Sequence, residues 1–207
     1  MIEVKSLSFG SILDSISFSL QDGKTLAVIG HNGAGKTTLF HVLLGLKFKT
    51  DGAFSILDKK IGFVPERPYL QTEESFQNFL ALHLNLISFP KHEQEAEILR
   101  VAKQVGLQES LNKKFNVFSK GMLQKALFAQ ALLGSPKLIF LDEPMSGLDP
   151  ASREETKNHL DRLKQSGVTL VFSSHVMEDV ALLADEVLVL DHGRQTFFGN
   201  VQEWKTR

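Results

Sequence analysis

Cysteine is absent from the 207-residue chain, which removes disulfide scaffolds, thiolate metal sites and cysteine nucleophiles at once and suits a reducing compartment. An excess of charge is also lacking. With 23 Lys+Arg against 24 Asp+Glu the formal net charge is -1, so there is no electrostatic footprint for wrapping a polyanion and nucleic acid is not an expected partner. No apolar run approaches the roughly 20 residues needed to cross a bilayer: the stretch 79–89 is broken by His83 and Asn85, and 138–141 is far too short. The start, Met1-Ile2-Glu3-Val4-Lys5-Ser6, carries an acid at its third position with no apolar run behind it and does not read as a secretory signal. The expectation is a protein that stays in the cytosol and borrows any membrane role from a partner. No internal repeat of solenoid period is visible.

What is present is a folding composition. Hydrophobic residues make up 43% and charged residues 23%, which excludes a disordered, fibrous or low-complexity chain. The length suits one compact domain with an insertion. Ile16, Phe18 and Leu20 alternate with serines, Asp22-Gly23 turns the chain, and 26–29 is a short buried-type strand. Residues 30–35 form a loop, and 36–46 carry Leu39, Val42, Leu43 and Leu46 at helical spacing. Thr50-Asp51-Gly52 and Asp58-Lys59-Lys60 punctuate strands at 53–57 and 61–64.

Glycine then disappears from 75 to 105, and helical periodicity takes over. Phe76, Phe79, Leu80, His83, Leu84 and Ile87 share one face; Ile98, Val101, Ala102 and Val105 share another, closed by Gly106. Further on, 123–133 is helical and is stopped by Gly134 and Pro136, 138–141 is a buried strand, 152–165 a polar helix, 169–172 a strand, 176–183 a helix and 186–190 a strand before the turn Asp191-His192-Gly193. Such alternation predicts a parallel sheet with helices on its faces.

Two segments carry chemistry. Gly30-His31-Asn32-Gly33-Ala34-Gly35-Lys36-Thr37 fits G-x-x-x-x-G-K-[ST], directly after an apolar strand and at the head of a helix, with Thr38 following. Glycines there let successive N–H groups converge on phosphate oxygens, the helix start adds its positive end, Lys36 adds a point charge and the Thr37 hydroxyl suits Mg²⁺. The alternative is a Gly-rich turn with a solvated lysine. Leu138-Ile139-Phe140-Leu141-Asp142-Glu143-Pro144 places two carboxylates at the end of a buried strand, where open parallel sheets bind ligands. One acid can hold the water shell of Mg²⁺ and the other can take a proton from an attacking water, unless both are simply solvated acids at a strand exit.

The phosphate loop, Phe118-Ser119-Lys120-Gly121-Met122-Leu123-Gln124-Lys125, the Leu138 to Glu143 strand end, Ser146-Gly147-Leu148-Asp149 and Ser173-Ser174-His175 stand in this order along the chain. Together they resemble the ordered motif set of the ATP-binding cassette ATPases, a match that spans nearly the whole chain. Where the family often shows Leu-Ser-Gly-Gly-Gln, this chain has Phe118, Lys120 and Met122, a version similar to that of bacterial export-type cassettes. The resemblance implies an α/β fold: a P-loop NTPase (RecA-like) core with a mostly parallel sheet, a small antiparallel edge and an inserted helical subdomain. It assigns 1–66 and 119–207 to the nucleotide-binding core and 67–118 to the insertion. The segment 52–61 is shorter than the family's usual strand pair, so a trimmed edge is expected there.

The resemblance also implies the cofactors ATP and Mg²⁺ and a role for each matching residue. Gly30, Asn32, Gly33, Ala34, Gly35, Lys36, Thr37 and Thr38 would hold the nucleotide, with Lys36 and His175 neutralising the γ-phosphate and Glu143 activating water. Mg²⁺ would be held by Thr37, by Asp142 through water, and by Glu66, which stands where the family usually has Gln. Phe9 stands where an aromatic stacks on adenine. Ser119 and Gly121 would contact ATP held by a second copy of the chain, and Asp149 would connect the two sites. Read as isolated segments, Glu66 is also an exposed loop acid, Phe9 a strand-packing ring, Ser119 an N-cap, Asp149 part of a turn and His175 a structural histidine. The helical insertion has more than one apolar stripe, with Phe76, Phe79, Leu80, Leu82, Leu84, Leu86 and Phe89. Part of it suits a small satellite core, and the remainder would receive a membrane permease subunit, placing the protein at the inner face of the cell membrane. The expected function is ATP hydrolysis that powers a transporter, in the export direction, by ATP-driven dimerisation. A non-transport cassette ATPase acting on nucleic acid or ribosomes, and an unrelated P-loop kinase or GTPase, remain as alternatives.

Overall fold

The computed structural model describes residues 1–57, 60–67 and 70–206, so the expected turn residues Asp58 and Lys59 lie outside it. The first half of the chain gives β1 (Ile2–Phe9), β2 (Leu13–Leu20), β3 (Thr25–Ile29), α1 (Lys36–Leu43), β4 (Asp51–Ile56), β5 (Ile61–Val64), α2 (Phe76–Leu86) and α3 (Gln94–Gln104). The second gives α4 (Lys120–Ala131), β6 (Leu138–Leu141), α5 (Pro150–Gln165), β7 (Thr169–Ser174), α6 (Met177–Leu183), β8 (Glu186–Asp191), β9 (Arg194–Asn200) and α7 (Val201–Lys205). Among the described residues these strands form one sheet in the order β4-β1-β2-β9-β8-β3-β7-β6-β5. Strands β8, β3, β7, β6 and β5 run parallel. The β4-β1-β2 edge is antiparallel, as is the β8-β9 pair, so the expected edge is present and β9 adds a hairpin that the sequence pattern did not reveal.

Every residue of β3, β6 and β7 is buried, which an apolar run can achieve only when helices cover both faces of a parallel sheet. The two-residue period of a strand then divides the side chains between two cores. Ala27, Ile29, Ile139, Leu141, Leu170 and Phe172 enter the core shared with α2 to α6. Leu26, Val28, Leu138, Phe140 and Val171 enter the opposite core with α1 and the β1-β2 edge. There Phe40 of α1 meets Phe140 edge to face, ring centroids 5.4 Å apart at 72°, a favoured aromatic geometry. Gly62 of β5 is required by close packing: a Cβ there would stand 2.2 Å from the Ala131 carbonyl oxygen at the end of α4.

The helical segment has an aromatic centre. Phe76 and Phe79 of α2 pack against Phe115, and Phe76 and Phe115 both contact Phe118, with centroids between 5.2 and 6.3 Å apart. Because Phe118 directly precedes Ser119, this cluster fixes where α4 starts. Helix α3 is tied to the end of α4 by Arg100, which donates to Glu97 Oε1 at 2.6 Å and to the Leu132 carbonyl at 3.0 Å, while Glu97 Oε1 also accepts from Gly134 N at 2.7 Å. The Arg100 hydrogen bonds, opposed by burial, hold the Glu97 carboxyl below its ordinary value.

Two helical readings are corrected. Helix α1 stops at Leu43, and after Gly45 turns with φ 72 the Leu46 side chain is exposed. The buried stripe of α2 is Phe76, Phe79, Leu80 and Leu84; Ile87 caps the helix and is 55% exposed, as are Leu82 at 56% and Leu86 at 72%. A helix of this length has one core-facing stripe about 100° wide, and the remaining leucines must face outward.

On α5, His159 lies against the edge of Phe128 at 5.2 Å. Burial, assisted by the Arg162 and Lys125 cations, pushes its pKa from 6.5 down to about 4. The unfolded chain therefore binds a proton more readily than the folded one, and stability falls as pH drops from 6.5 toward 4, by up to about 3 kcal/mol. Urea midpoints measured across that window should decline with acidity, and His159→Leu should flatten the decline. An unchanged profile in the variant would exclude His159 as its source.

Candidate active site

The loop 30–35 joins β3 to α1 at the carboxyl end of the parallel strands. Gly33 and Gly35 have φ of 85 and 106, a left-handed geometry that glycine adopts without steric cost. No side chain caps the start of α1, whose N-cap is Gly35, so its first backbone N–H groups have no intrahelical partner. Lys36 is 6% exposed; its ammonium donates to the Gly30 carbonyl at 2.8 Å and lies 3.3 Å from Glu143 Oε1.

Asp142 is the centre of a second network. It is 1% exposed, accepts from the Thr37 hydroxyl at Oδ2 and from the Ser173 hydroxyl at Oδ1, each at 2.6 Å, and donates its own N–H to the Val64 carbonyl at 2.8 Å. Ser173 Oγ in turn accepts from Glu143 N at 2.7 Å. Glu143 holds a left-handed backbone with φ 47, and its Oε2 lies 3.0 Å from His175 Nδ1. Its carboxylate is thus flanked by Lys36 on one oxygen and His175 on the other.

These residues surround a cavity of about 550 Å³ lined by Asn32, Gly33, Gly35, Lys36, Thr37, Thr38, Glu66 and Glu143, together with His175, Ser146, Ile12 and Arg67. Ala34 is buried beneath it at 1% exposure, and Gly30 is packed so tightly that a Cβ would lie 2.3 Å from the Leu190 carbonyl oxygen. The uncapped helix start and buried ammonium fit a chain of phosphates. The donors Thr37, Asp142 and Glu66 offer only oxygen, the set a hard divalent cation such as Mg²⁺ requires.

A family model described as ABC transporter matches residues 13–146. The chain belongs to the ABC transporter family. It is 36% identical over 202 residues to an uncharacterized ABC transporter ATP-binding protein of Synechocystis, covering 92% of this chain and 57% of that protein. The chain therefore spans little more than half the length of that relative. It is 34% identical over 206 residues to the lantibiotic transport ATP-binding protein SrtF of Streptococcus pyogenes, covering 94% of this chain and 88% of SrtF. A solved ATP-binding subunit of an ABC transporter superposes with a TM-score of 0.86 at 28% identity, covering 99% of this chain and 92% of that one.

Ser119, Gly121, Asp149 and Phe9 lie outside the cavity lining. Ser119 caps α4, accepting from Met122 N at 3.2 Å. Gly121 sits where a Cβ would be 2.5 Å from Ser152 Oγ, and that hydroxyl donates to Asp149 at 2.6 Å. Ser119, Gly121 and Asp149 therefore form one neighbourhood at the starts of α4 and α5. Hydrogen bonds from the Ser152 hydroxyl and backbone hold Asp149 below its ordinary value. Phe9 is half-buried against the α1-side core, with the Lys47 ammonium 5.4 Å from its ring centroid; Ile12, three residues later, is the apolar side chain that lines the cavity. Glu66 lines it beside Arg67, 3.8 Å away.

The sequence reading included Ser173 in a motif but missed its role as the bridge between Asp142 and Glu143; a hydroxyl within a fully buried strand was the available signal. Ile12 and Arg67 carried none. Ser173→Ala leaves the buried Asp142 Oδ1 and Glu143 N without their shared partner, a loss of about 1–3 kcal/mol. Denaturant unfolding of the variant checks this, and a midpoint equal to the parent's would show the bridge to be dispensable.

Proposed function

We propose that the chain is an ATP-hydrolysing subunit that powers a membrane transporter. The observation that carries this reading is the joining of Lys36, Thr37, Glu143 and His175 around one cavity at the carboxyl end of the sheet, with the buried Asp142 hydrogen-bonded to Thr37 behind its lining. In this reading 30–38 cradle the triphosphate, and Lys36 exchanges its Gly30 and Glu143 partners for phosphate oxygens. Thr37, Asp142 and Glu66 are the residues proposed to hold Mg²⁺, which when bound compensates the charge of the triphosphate. Glu143 accepts the proton of the attacking water, and His175 orients the Glu143 carboxylate and adds positive charge at the terminal phosphate. Phosphoryl transfer of this kind gains most of its rate from positioning and charge stabilisation. Ile12 lines the apolar side on which the base is proposed to rest, and Phe9 lies three residues before it, outside the lining.

Ser119, Gly121 and Asp149 are left away from the cavity that their own chain builds. Their proposed partner is ATP held by a second copy, so that two chains sandwich two nucleotides. The proposed division is a nucleotide-binding core, 1–66 and 119–207, with a helical insertion, 67–118, as the docking face for a permease. The exposed Leu82, Leu86 and Ile87 of α2 support that docking. Among the described residues no helix is long and apolar enough to cross a membrane, and the proposed location is the inner membrane face, reached through the permease. The signature version Ser119-Lys120-Gly121-Met122 supports the export direction. Family membership disfavours an unrelated P-loop kinase or GTPase, and relatives named for transport disfavour a nucleic-acid or ribosome partner.

Glu143→Gln should keep Mg-ATP binding and slow turnover by roughly 10² to 10⁴-fold, the range for a general base; turnover at the parental rate would remove Glu143 from the role. A site completed by a second copy makes ATPase activity rise more steeply than linearly with protein concentration when the chain is dilute. Strict proportionality over the whole range would speak against the shared site.

A further inference from the structure

Three side chains converge on the outer rim of the phosphate loop. His31 Nε2 lies 3.3 Å from Asp191 Oδ1, His192 Nε2 lies 3.8 Å from the same oxygen, and each residue offers one ligand atom within 4.8 Å of those of the other two. The two imidazole rings are 4.7 Å apart. The His31 backbone belongs to the loop that cradles the triphosphate, but none of the three side chains has a role in the proposed hydrolysis.

The hydrogen bonding of His31 fixes what its other nitrogen can do. Nδ1 lies 2.8 Å from the Asn32 carbonyl oxygen, which can only accept, so Nδ1 carries the hydrogen. In the neutral ring Nε2 then presents a lone pair directly to a carboxylate oxygen. Two lone pairs facing each other at 3.3 Å repel unless a positive centre lies between them. A proton on His31 answers one of these contacts; a divalent ion answers His31, His192 and Asp191 together without charging either ring. A backbone carbonyl taking the distal N–H is also the arrangement usual behind a metal-bound histidine. Zn–N and Zn–O bonds of about 2.0–2.1 Å in a tetrahedral site place neighbouring ligand atoms about 3.3 Å apart, close to the 3.3 and 3.8 Å separations here. Among the described residues no Lys or Arg pairs with Asp191, whose ion-pair contacts are the two imidazoles.

The scaffold is held in place beforehand. Gly193, with φ 78, donates its N–H to the Ala34 carbonyl at 3.1 Å and accepts from Asp14 N at 2.9 Å. Its hydrogen atoms fill space that a Cβ could not, since one would lie 1.9 Å from the Ile12 carbonyl oxygen. The β8-β9 turn is thus seated on the phosphate loop before any ion arrives.

We propose that His31, Asp191 and His192 form a binding site for a borderline divalent transition ion of the Zn²⁺, Co²⁺ or Ni²⁺ class, joining the β8-β9 turn to the phosphate loop. Two imidazoles and one carboxylate select such ions over Mg²⁺, which takes oxygen donors, so the site is chemically distinct from Thr37, Asp142 and Glu66. Three protein ligands leave a fourth position for water.

The test uses the untagged full chain, stripped with chelator and free of nucleotide, titrated with Co²⁺ and then with Zn²⁺. The expected result is saturable visible absorption of tetrahedral Co²⁺ at one ion per chain, displaced by Zn²⁺, together with a Zn²⁺-dependent rise in melting temperature. His192→Ala and Asp191→Asn should each weaken binding at least about tenfold, since even outer partners of a metal ligand are worth that much, and should abolish the thermal shift. His83→Ala, remote from the cluster, should bind as the parent does. Asp191 and His192 are exposed and His83 is half-buried against Phe79, and melting in chelator checks that each variant is folded. Absence of saturable Co²⁺ binding by the parent, or parental affinity in His192→Ala and Asp191→Asn, overturns the site.

Discussion

A carboxylate taken out of water must be surrounded by donors, and Asp142 meets that demand by binding parts of the chain that are far apart in sequence. Thr37 from the start of α1 and Ser173 from β7 each give it a hydrogen bond, while its own N–H reaches Val64 of β5. At 1% exposure, none of these partners can be replaced by solvent. The phosphate loop, the end of β6 and the end of β7 are consequently held at one height. The cavity geometry follows from that requirement: once Thr37 is fixed, Lys36 enters beside Glu143, and once Ser173 is fixed, His175 reaches Glu143 from the other side.

Strand arrangement makes such a carboxylate available. Because β3, β5, β6 and β7 are parallel, their carboxyl ends all open on the same edge, and loops leaving them meet there. The two cores formed by alternate residues of these strands keep both faces dry, so the edge is where polar chemistry can be solvated. Outside this central part the antiparallel strands β4, β1 and β2 extend the sheet over α1, and Ile12 between β1 and β2 reaches the cavity rim.

Much of this was legible in the residues because the signals were local. A run such as Leu26 to Ile29 followed by closely spaced glycines and an apolar three-four pattern admits few arrangements, and β6 with its two terminal acids is equally explicit. Boundaries slipped where a cap outweighed periodicity: α4 starts at Lys120 because Ser119 caps it, and α5 at Pro150 because Asp149 does. The β9 strand was not legible since its half-buried pattern, Arg194 to Asn200, mixes polar and aromatic residues without a clear alternation. Phe9 and Ile12 show the same limit at the site. Which of two apolar side chains faces a cavity depends on how a turn between two strands is folded, and spacing alone does not encode that.

Glu143 carries a further consequence. A side chain bearing a Cβ in the left-handed region costs on the order of 1 kcal/mol that a glycine would not incur, and φ at this residue is 47. The strained peptide aims the carboxylate between an ammonium and an imidazole instead of letting it follow the strand direction into the core. Stability alone would favour glycine at this corner, the one residue without the Cβ that causes the strain, so the glutamate is held there by what its carboxylate does.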